Sequence, residues 1–210
     1  MSAPLSHAQF DVLYAVNCNE GTLTQREIQA MTGMSLGRVN SAVRELEARG
    51  YLAARQITDA GLEALAPYAV ENAVIMAAGL SSRFAPISYE RPKGTLRVRG
   101  EVLIERQIEQ LHEAGITDIT VVVGYRKEYF FYLVEKYGVK IVVNSEYATR
   151  NNNGSLWLVR DKLTNTYVCS SDDYFTENPF ESHVYHAYYS AQYVEGETDE
   201  WCLTTGGGGR

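Results

Sequence analysis

The chain is short of the residues that mark a secreted or metal-stapled protein. Its 210 residues include only three cysteines, Cys18, Cys169 and Cys202. They lie far apart and form no C-x-x-C pair, which argues against a disulfide framework and a cysteine-ligated zinc site. No apolar run approaches the length that spans a bilayer. The opening Met1-Ser2-Ala3-Pro4-Leu5-Ser6-His7 has neither the basic nor the apolar stretch of an export signal. A cytoplasmic protein with no membrane partner is therefore expected. Basic charge is scarce as well: 19 Lys plus Arg against 26 Asp plus Glu leaves a net charge of -7, the opposite of a chain built to coat nucleic acid.

The remainder is ordinary folded-protein material, with 45% hydrophobic and 21% charged residues, so disorder is not the default expectation. The length suits one large domain or two modest ones, and the pattern favours two, over residues 1–68 and 72–210. In the first, Ser6 is a predicted N-cap ahead of Phe10, Leu13, Tyr14 and Val16. Thr24, with Glu27 three residues on, forms the signature of a capping box for a second helix that ends at Gly33. Ser35 caps a third helix carrying Val39, Val43 and Leu46 on one face, closed by Gly50. Residues 51–57 can form a short wing, and Thr58-Asp59-Ala60-Gly61 opens a last helix through Leu62 and Leu65.

After a linker at residues 67–72, strands and helices alternate. Strands are expected at residues 73–77, 119–123, 139–143 and 166–170, and helices at 102–114, 128–137 and 155–162. Such alternation implies a parallel sheet with helices on both faces and ligands at the carboxyl ends of the strands. A further strand is expected near residues 201–203. The glycine tract Gly206-Gly207-Gly208-Gly209 then reads as a flexible tail or as the end of an incomplete domain.

The sharpest motif is Met76-Ala77-Ala78-Gly79-Leu80-Ser81-Ser82-Arg83-Phe84, directly after the first of these strands and followed by Arg91-Pro92-Lys93. Small residues from Ala77 to Ser82 let the backbone approach a triphosphate, whose oxygens successive N–H groups can hold. Arg83 offers a planar fork of donors and Lys93 a second, point-like cation. Any strand-to-helix loop favours Gly and Ser, but not this order of strand, loop, arginine and Pro-Lys pair. At the end of the last strand, Ser170-Ser171-Asp172-Asp173-Tyr174 brings two carboxylates to the same sheet edge. Mg2+ takes one or two carboxylates plus substrate phosphates, and Asp172 fits that role, while Asp173 suits the capping of a turn.

Two resemblances sharpen these expectations. Leu23-Thr24-x-x-Glu27-Ile28, then Ser35 with Val39, Val43 and Leu46, then Arg49-Gly50-Tyr51-Leu52 resembles the winged helix-turn-helix of bacterial regulators. The motif around the phosphate loop resembles the signature of the sugar-nucleotidyltransferase superfamily. The runs at residues 103–108, 115–119, 122–125, 135–140 and 165–168 are similar to the bacterial CTP:phosphocholine cytidylyltransferases, from about residue 72 to 203.

The second resemblance implies a transfer of the cytidylyl group from CTP to phosphocholine with Mg2+ as cofactor. Arg83 is then assigned to the β and γ phosphates, Lys93 to the α phosphate and the attacking phosphate, and Gly124 and Tyr125 to the base. Trp201 matches the tryptophan placed against the choline head. Asn153 and Ser155, in the run Asn151-Asn152-Asn153-Gly154-Ser155, fall where the nucleotide or the acceptor is contacted, although the same residues make an ordinary helix entry. Asp172 is the implied metal ligand; the family's second metal-binding aspartate lies beyond the matched residues. A sugar-1-phosphate or aminoethylphosphonate is the competing acceptor.

A different class of function stays open: a DNA-binding regulator whose α/β domain senses a nucleotide or phosphocholine, with Ser35, Arg38, Asn40, Ser41 and Arg44 facing DNA. Against it, residues 1–70 hold Arg26, Arg38, Arg44, Arg49 and Arg55, no lysine, and the acids Asp11, Glu20, Glu27, Glu45, Glu47, Asp59 and Glu63, a balance that attracts phosphate weakly. Contact with another protein is an equal expectation for this domain.

Overall fold

The computed structural model describes residues 4–19, 22–150, 152–191, 193–198 and 202, with Arg83 described by its backbone alone. The strand expected at residues 201–203 and the glycine tract lie outside these residues.

The first unit is a winged helix. Helix α1 (His7–Asn17) starts at Ser6, whose side chain accepts from the Gln9 amide in a capping box. Helix α2 (Gln25–Thr32) starts at Thr24, where the box with Glu27 closes as the sequence predicts, and ends at Gly33 with φ 67°. Helix α3 (Leu36–Ala48) is capped by Ser35. Strands β1 (Leu52–Ala53) and β2 (Gln56–Ile57) pair antiparallel as the wing. Ala54 and Arg55 between them both take positive φ, the two-residue turn whose twist matches paired strands. Helix α4 (Asp59–Leu65) follows its cap Thr58. Val12, Leu13, Ile28, Val39, Leu46 and Leu65 form the shared core of these helices, each 1% exposed or less.

The second unit is built on β3 (Asn72–Ala77). A short helix α5 (Ile87–Glu90) and a hairpin of β4 (Arg97–Val98) and β5 (Glu101–Val102), none of them expected from the sequence, precede α6 (Leu103–Glu113). Strand β6 (Ile119–Val123), helix α7 (Tyr132–Tyr137), strand β7 (Lys140–Val143), helix α8 (Asn152–Leu158) and strand β8 (Thr166–Ser170) complete it. The four long strands pair parallel in the order β7-β6-β3-β8. One face, with Ala73, Ile75, Val121 and Val123, packs on Ile104, Ile108 and Leu111 of α6 and on Phe130 and Leu133. The other, with Val74 and Val122, packs on Val159.

Three expectations need correction. The single helix over residues 128–137 is a 3-10 turn, Lys127–Phe130, followed by α7, because Arg126 adopts left-handed backbone ahead of the turn. The helix over 155–162 starts earlier, at Asn152, and gives way to a 3-10 turn, Arg160–Lys162. The linker is not a free connection. Val70 donates to the Ser182 carbonyl and Val184 to the Tyr68 carbonyl, both at 2.8 Å, so residues 182–184 lie antiparallel beside it. Tyr185 then stacks on His7 with ring centroids 4.7 Å apart and donates to the Leu5 carbonyl at 3.1 Å. The chain beyond β8 is thereby fastened to the winged helix.

Candidate active site

The register aligns three strand ends. Ala77 lies opposite Val123 and Met76 opposite Ser170, and the Ser171 amide donates to the Met76 carbonyl at 3.1 Å. The segments leaving β3, β6 and β8 therefore emerge along one edge, where a parallel sheet places its ligands.

Ala77 and Ala78 are buried under this edge, while Gly79, Leu80 and Ser82 are exposed. Ser81, at φ 52°, turns the chain into the 3-10 segment Ser82–Phe84 that contains Arg83. A second 3-10 turn, Lys93–Thr95, is set by Pro92, whose carbonyl accepts from the Thr95 hydroxyl at 2.8 Å. Lys93 Nζ stands 3.3 Å from Asp172 Oδ2 and 5.4 Å from the centre of the Phe84 ring. The loop after β3, the Pro-Lys pair and the acidic turn after β8 thus converge.

Gly94 makes that convergence possible. A Cβ there would stand 2.9 Å from Cβ and Oγ of Ser171 and 3.0 Å from its carbonyl oxygen. Only a bare backbone lets the two turns touch. Gly94 carries no local signal in the sequence, because its constraint comes from a turn far along the chain.

Asp172 is exposed and presents a hard carboxylate at the edge. Desolvation first, and then the Asp172 charge, push the neighbouring Asp173 carboxyl up. Among the described residues no three His, Cys, Asp or Glu gather as a metal cage. The donor set suits a hard divalent cation held by one carboxylate together with ligands from outside the chain. Cys169, behind the turn, has its thiol pushed up to about 12, mainly by burial, which disfavours the thiolate.

Gly124 and Tyr125 sit where β6 leaves the sheet. A Cβ on Gly124 would meet the Ala78 carbonyl oxygen at 2.7 Å and Tyr147 Cβ at 2.6 Å, so this glycine serves close packing against the phosphate-loop strand. The rings of Tyr125 and Tyr147 lie 6.3 Å apart, and Arg126 stands over Tyr125 while donating to the Tyr89 carbonyl at 2.6 Å. Tyr147 and Arg126 were not singled out from sequence, since nothing local distinguishes them.

Asn153 is exposed in the first turn of α8. Ser155 is 3% exposed, and its hydroxyl accepts from Asn144 Nδ2 at 2.9 Å. The Asn144 amide in turn donates to the Val123 carbonyl at 2.8 Å. Ser155 thus ties α8 to the end of β6. Trp201, expected at the acceptor, lies outside the described residues.

A winged helix followed by a parallel nucleotide-binding sheet with a cationic loop is the class that fold and site define. The chain belongs to the MobA-like NTP transferase domain family, whose model matches residues 73–192, and the MarR family model matches residues 3–60. It is 46% identical over 135 residues to the choline-phosphate cytidylyltransferase of Streptococcus pneumoniae, a match covering 64% of this chain and 59% of that protein. It is 40% identical over 134 residues to the 2-aminoethylphosphonate cytidylyltransferase of Lancefieldella rimae, covering 62% and 54%. Among solved structures, the CTP:phosphocholine cytidylyltransferase of Streptococcus pneumoniae matches with a TM-score of 0.52 and 49% identity, over 53% of this chain and 49% of that one. The chain thus spans about half the length of these relatives. Among the described residues, no helix is long and apolar enough to cross a membrane.

Proposed function

We propose that the chain transfers a cytidylyl group from CTP to a phosphorylated small alcohol, phosphocholine foremost, with release of pyrophosphate. The observation that carries this reading is the meeting of Lys93 with Asp172 beside the small-residue loop, 3.3 Å apart. It gives one edge both a cation for phosphate and an oxygen ligand for a divalent metal. The 46% identical relative named for choline phosphate supports the choice of acceptor, and the 40% identical one makes 2-aminoethylphosphonate the main competitor.

In this mechanism an oxygen of the acceptor phosphate attacks the α phosphorus in line. The bond from that phosphorus to the bridging oxygen breaks, and the electron pair leaves with pyrophosphate. No protein nucleophile takes part, so catalysis rests on positioning and on neutralising charge. The amides from Ala77 to Ser82 cradle the triphosphate, Arg83 holds its outer phosphates, and Lys93 bridges the α phosphate and the attacking phosphate. Gly124 and Tyr125 bound the base. Asp172 is the residue to hold Mg2+, which supplies charge neutralisation at the phosphates when bound. On the acceptor side, Asn153 is presented to the ligand, Ser155 fixes the helix that carries it, and Trp201 offers its face to the quaternary ammonium, an attraction worth about 0.5 to 2 kcal/mol.

The test is pyrophosphate release from CTP, Mg2+ and phosphocholine, with 2-aminoethylphosphonate as rival acceptor and UTP plus glucose-1-phosphate as rival pair. Release that requires CTP and Lys93 supports the reading. Equal release from the UTP pair, or release unchanged in Lys93→Ala, sinks it.

A second reading concerns the N-terminal unit. Ser35, Arg38, Ser41 and Arg44 are all exposed along α3, and residues 3–60 match the MarR family model. They favour DNA as a partner, bound weakly given the acidic balance of residues 1–70. Fluorescence anisotropy of a labelled duplex decides it: binding that ignores salt concentration, or that survives Arg38→Ala with Arg44→Ala, argues for a protein partner instead.

A further inference from the structure

Helix α6 is apolar along Ile104, Ile108 and Leu111, yet the position between them on the same face is Gln107, fully buried at 0% exposure. A buried amide is costly unless its donors are matched. Both matches here lie on the acidic turn: Gln107 Nε2 donates to the Ser170 carbonyl at 2.7 Å and to the Asp173 carbonyl at 3.0 Å. Two acceptors facing one end of the amide fix its orientation, and Oε1 has no hydrogen-bond partner among the described residues. The side chain therefore spans the turn that displays Asp172, gripping the residue two before it and the residue after it. Gly94 also closes on the turn, at Ser171. The neighbouring polar residues of α6 grip further along: Arg106 Nε and Gln110 Nε2 both donate to the Phe175 carbonyl, at 2.7 and 3.3 Å.

We propose that Gln107 is a positioning residue for the metal-binding turn, setting where the Asp172 carboxylate stands relative to Lys93 without touching substrate or metal. The inference rests on the reading of Asp172 as the metal ligand. Asp172 is exposed at the sheet edge, so its own side chain has little packing to fix it, and the backbone beneath it must be held from inside. Gln107 holds it with two donors on one rigid group, carried on a helix that packs on the sheet core.

The experiment uses the full chain and Mn2+ as the probe, with bound ion read from the electron paramagnetic resonance of the free ion. The Mg2+ concentration for half-maximal pyrophosphate release is measured in parallel. Gln107→Met keeps the length of the side chain and removes both donors, and Gln110→Met removes a donor that does not reach the turn. Asp172→Asn reports whether Mn2+ sits at the turn at all. Loss of a supporting residue of this kind costs on the order of 10- to 100-fold in metal affinity. That loss is expected for Gln107→Met in both readouts, with Gln110→Met close to the unsubstituted chain. If Asp172→Asn weakens Mn2+ binding and a folded Gln107→Met does not, the positioning role is overturned while the metal site stands. If Asp172→Asn binds Mn2+ as well as the unsubstituted chain, the metal reading fails and the inference falls with it. Should circular dichroism show Gln107→Met unfolded, Gln107→Asn, which keeps the donors on a stem one methylene shorter, is read by the same criteria.

Discussion

Lys93 and Asp172, 79 residues apart in sequence, meet at 3.3 Å where the turns after β3 and β8 come together. Both side chains keep contact with water, at 28% and 39% exposure. An exposed pair of this kind adds little to stability, about 0 to 1 kcal/mol. On the proposed function, its value lies in holding a cation in place for phosphate.

Lys93→Ala is accordingly expected to leave the thermal midpoint nearly unchanged while lowering turnover by about a hundredfold to a thousandfold, the usual effect of removing one charge-stabilising group. Lys93→Arg keeps the charge but not its compact shape, and a partial loss is expected. Pyrophosphate release against thermal unfolding separates the two effects; a large fall in midpoint with normal turnover would contradict the assignment.

Gly94→Ala inserts a carbon into the contact with Ser171, 2.9 Å from its side chain and 3.0 Å from its carbonyl oxygen. The side chain cannot swing clear, because Ser171 is itself buried. Overpacking of this kind costs about 1 to 3 kcal/mol, and the displaced turn should carry Lys93 away from Asp172, so activity falls with stability. Combining Gly94→Ala with Ser171→Gly relieves the side-chain clash but leaves the carbonyl contact, and a partial recovery of both quantities is expected.

Ser155→Ala removes the acceptor of the buried Asn144 Nδ2, a loss of about 1 to 3 kcal/mol. The prediction is a lower unfolding midpoint with the acceptor KM unchanged. A raised acceptor KM with unchanged stability would show that the hydroxyl meets the acceptor directly.

His183 sits against Tyr14 of α1, with ring centroids 5.5 Å apart, and partial burial holds its imidazole below the usual range. In the unfolded chain it takes up a proton near pH 6.5, so on acidification the unfolded state binds protons first. Stability is therefore lost as the pH falls below about 6.5 and on through the folded value. Asp11 and Glu181 nearby are pushed up, chiefly by desolvation, and raised carboxyls act with the opposite sign at lower pH. The comparison isolates the imidazole: between pH 7.5 and 5.5 the midpoint of the unsubstituted chain should drop further than that of His183→Gln. Parallel pH curves would count against a buried neutral His183.

Much of this architecture was legible in the sequence because local rules and tertiary demands agree. The caps Ser6, Thr24 and Ser35 stand where the polar residue before an apolar face placed them, and β3 and β6 are short apolar runs that read as buried strands. Arg126 and the hairpin around Gly100 were missed because positive φ at a non-glycine residue leaves little trace in sequence. Gln107 did leave one, a polar residue at an apolar spacing on α6, but its meaning depends on carbonyls more than sixty residues away. Gly94 and Asn144, the partner of Ser155, were invisible for the same reason, and so was the packing of Gly124 against Ala78 and Tyr147: each is explained only by a partner that the fold brings to it.

The fastening of residues 182–185 to the winged helix has a consequence for how the chain is made. Helices α1 to α4 leave the ribosome early, yet the ring that covers His7 and Phe10 belongs to Tyr185, which hydrogen-bonds to Leu5 across 180 residues of sequence. At about 5 to 20 residues per second, the newborn winged helix waits roughly 6 to 24 s with an aromatic face open to water and to other chains. Slow translation between the two units would lengthen that wait.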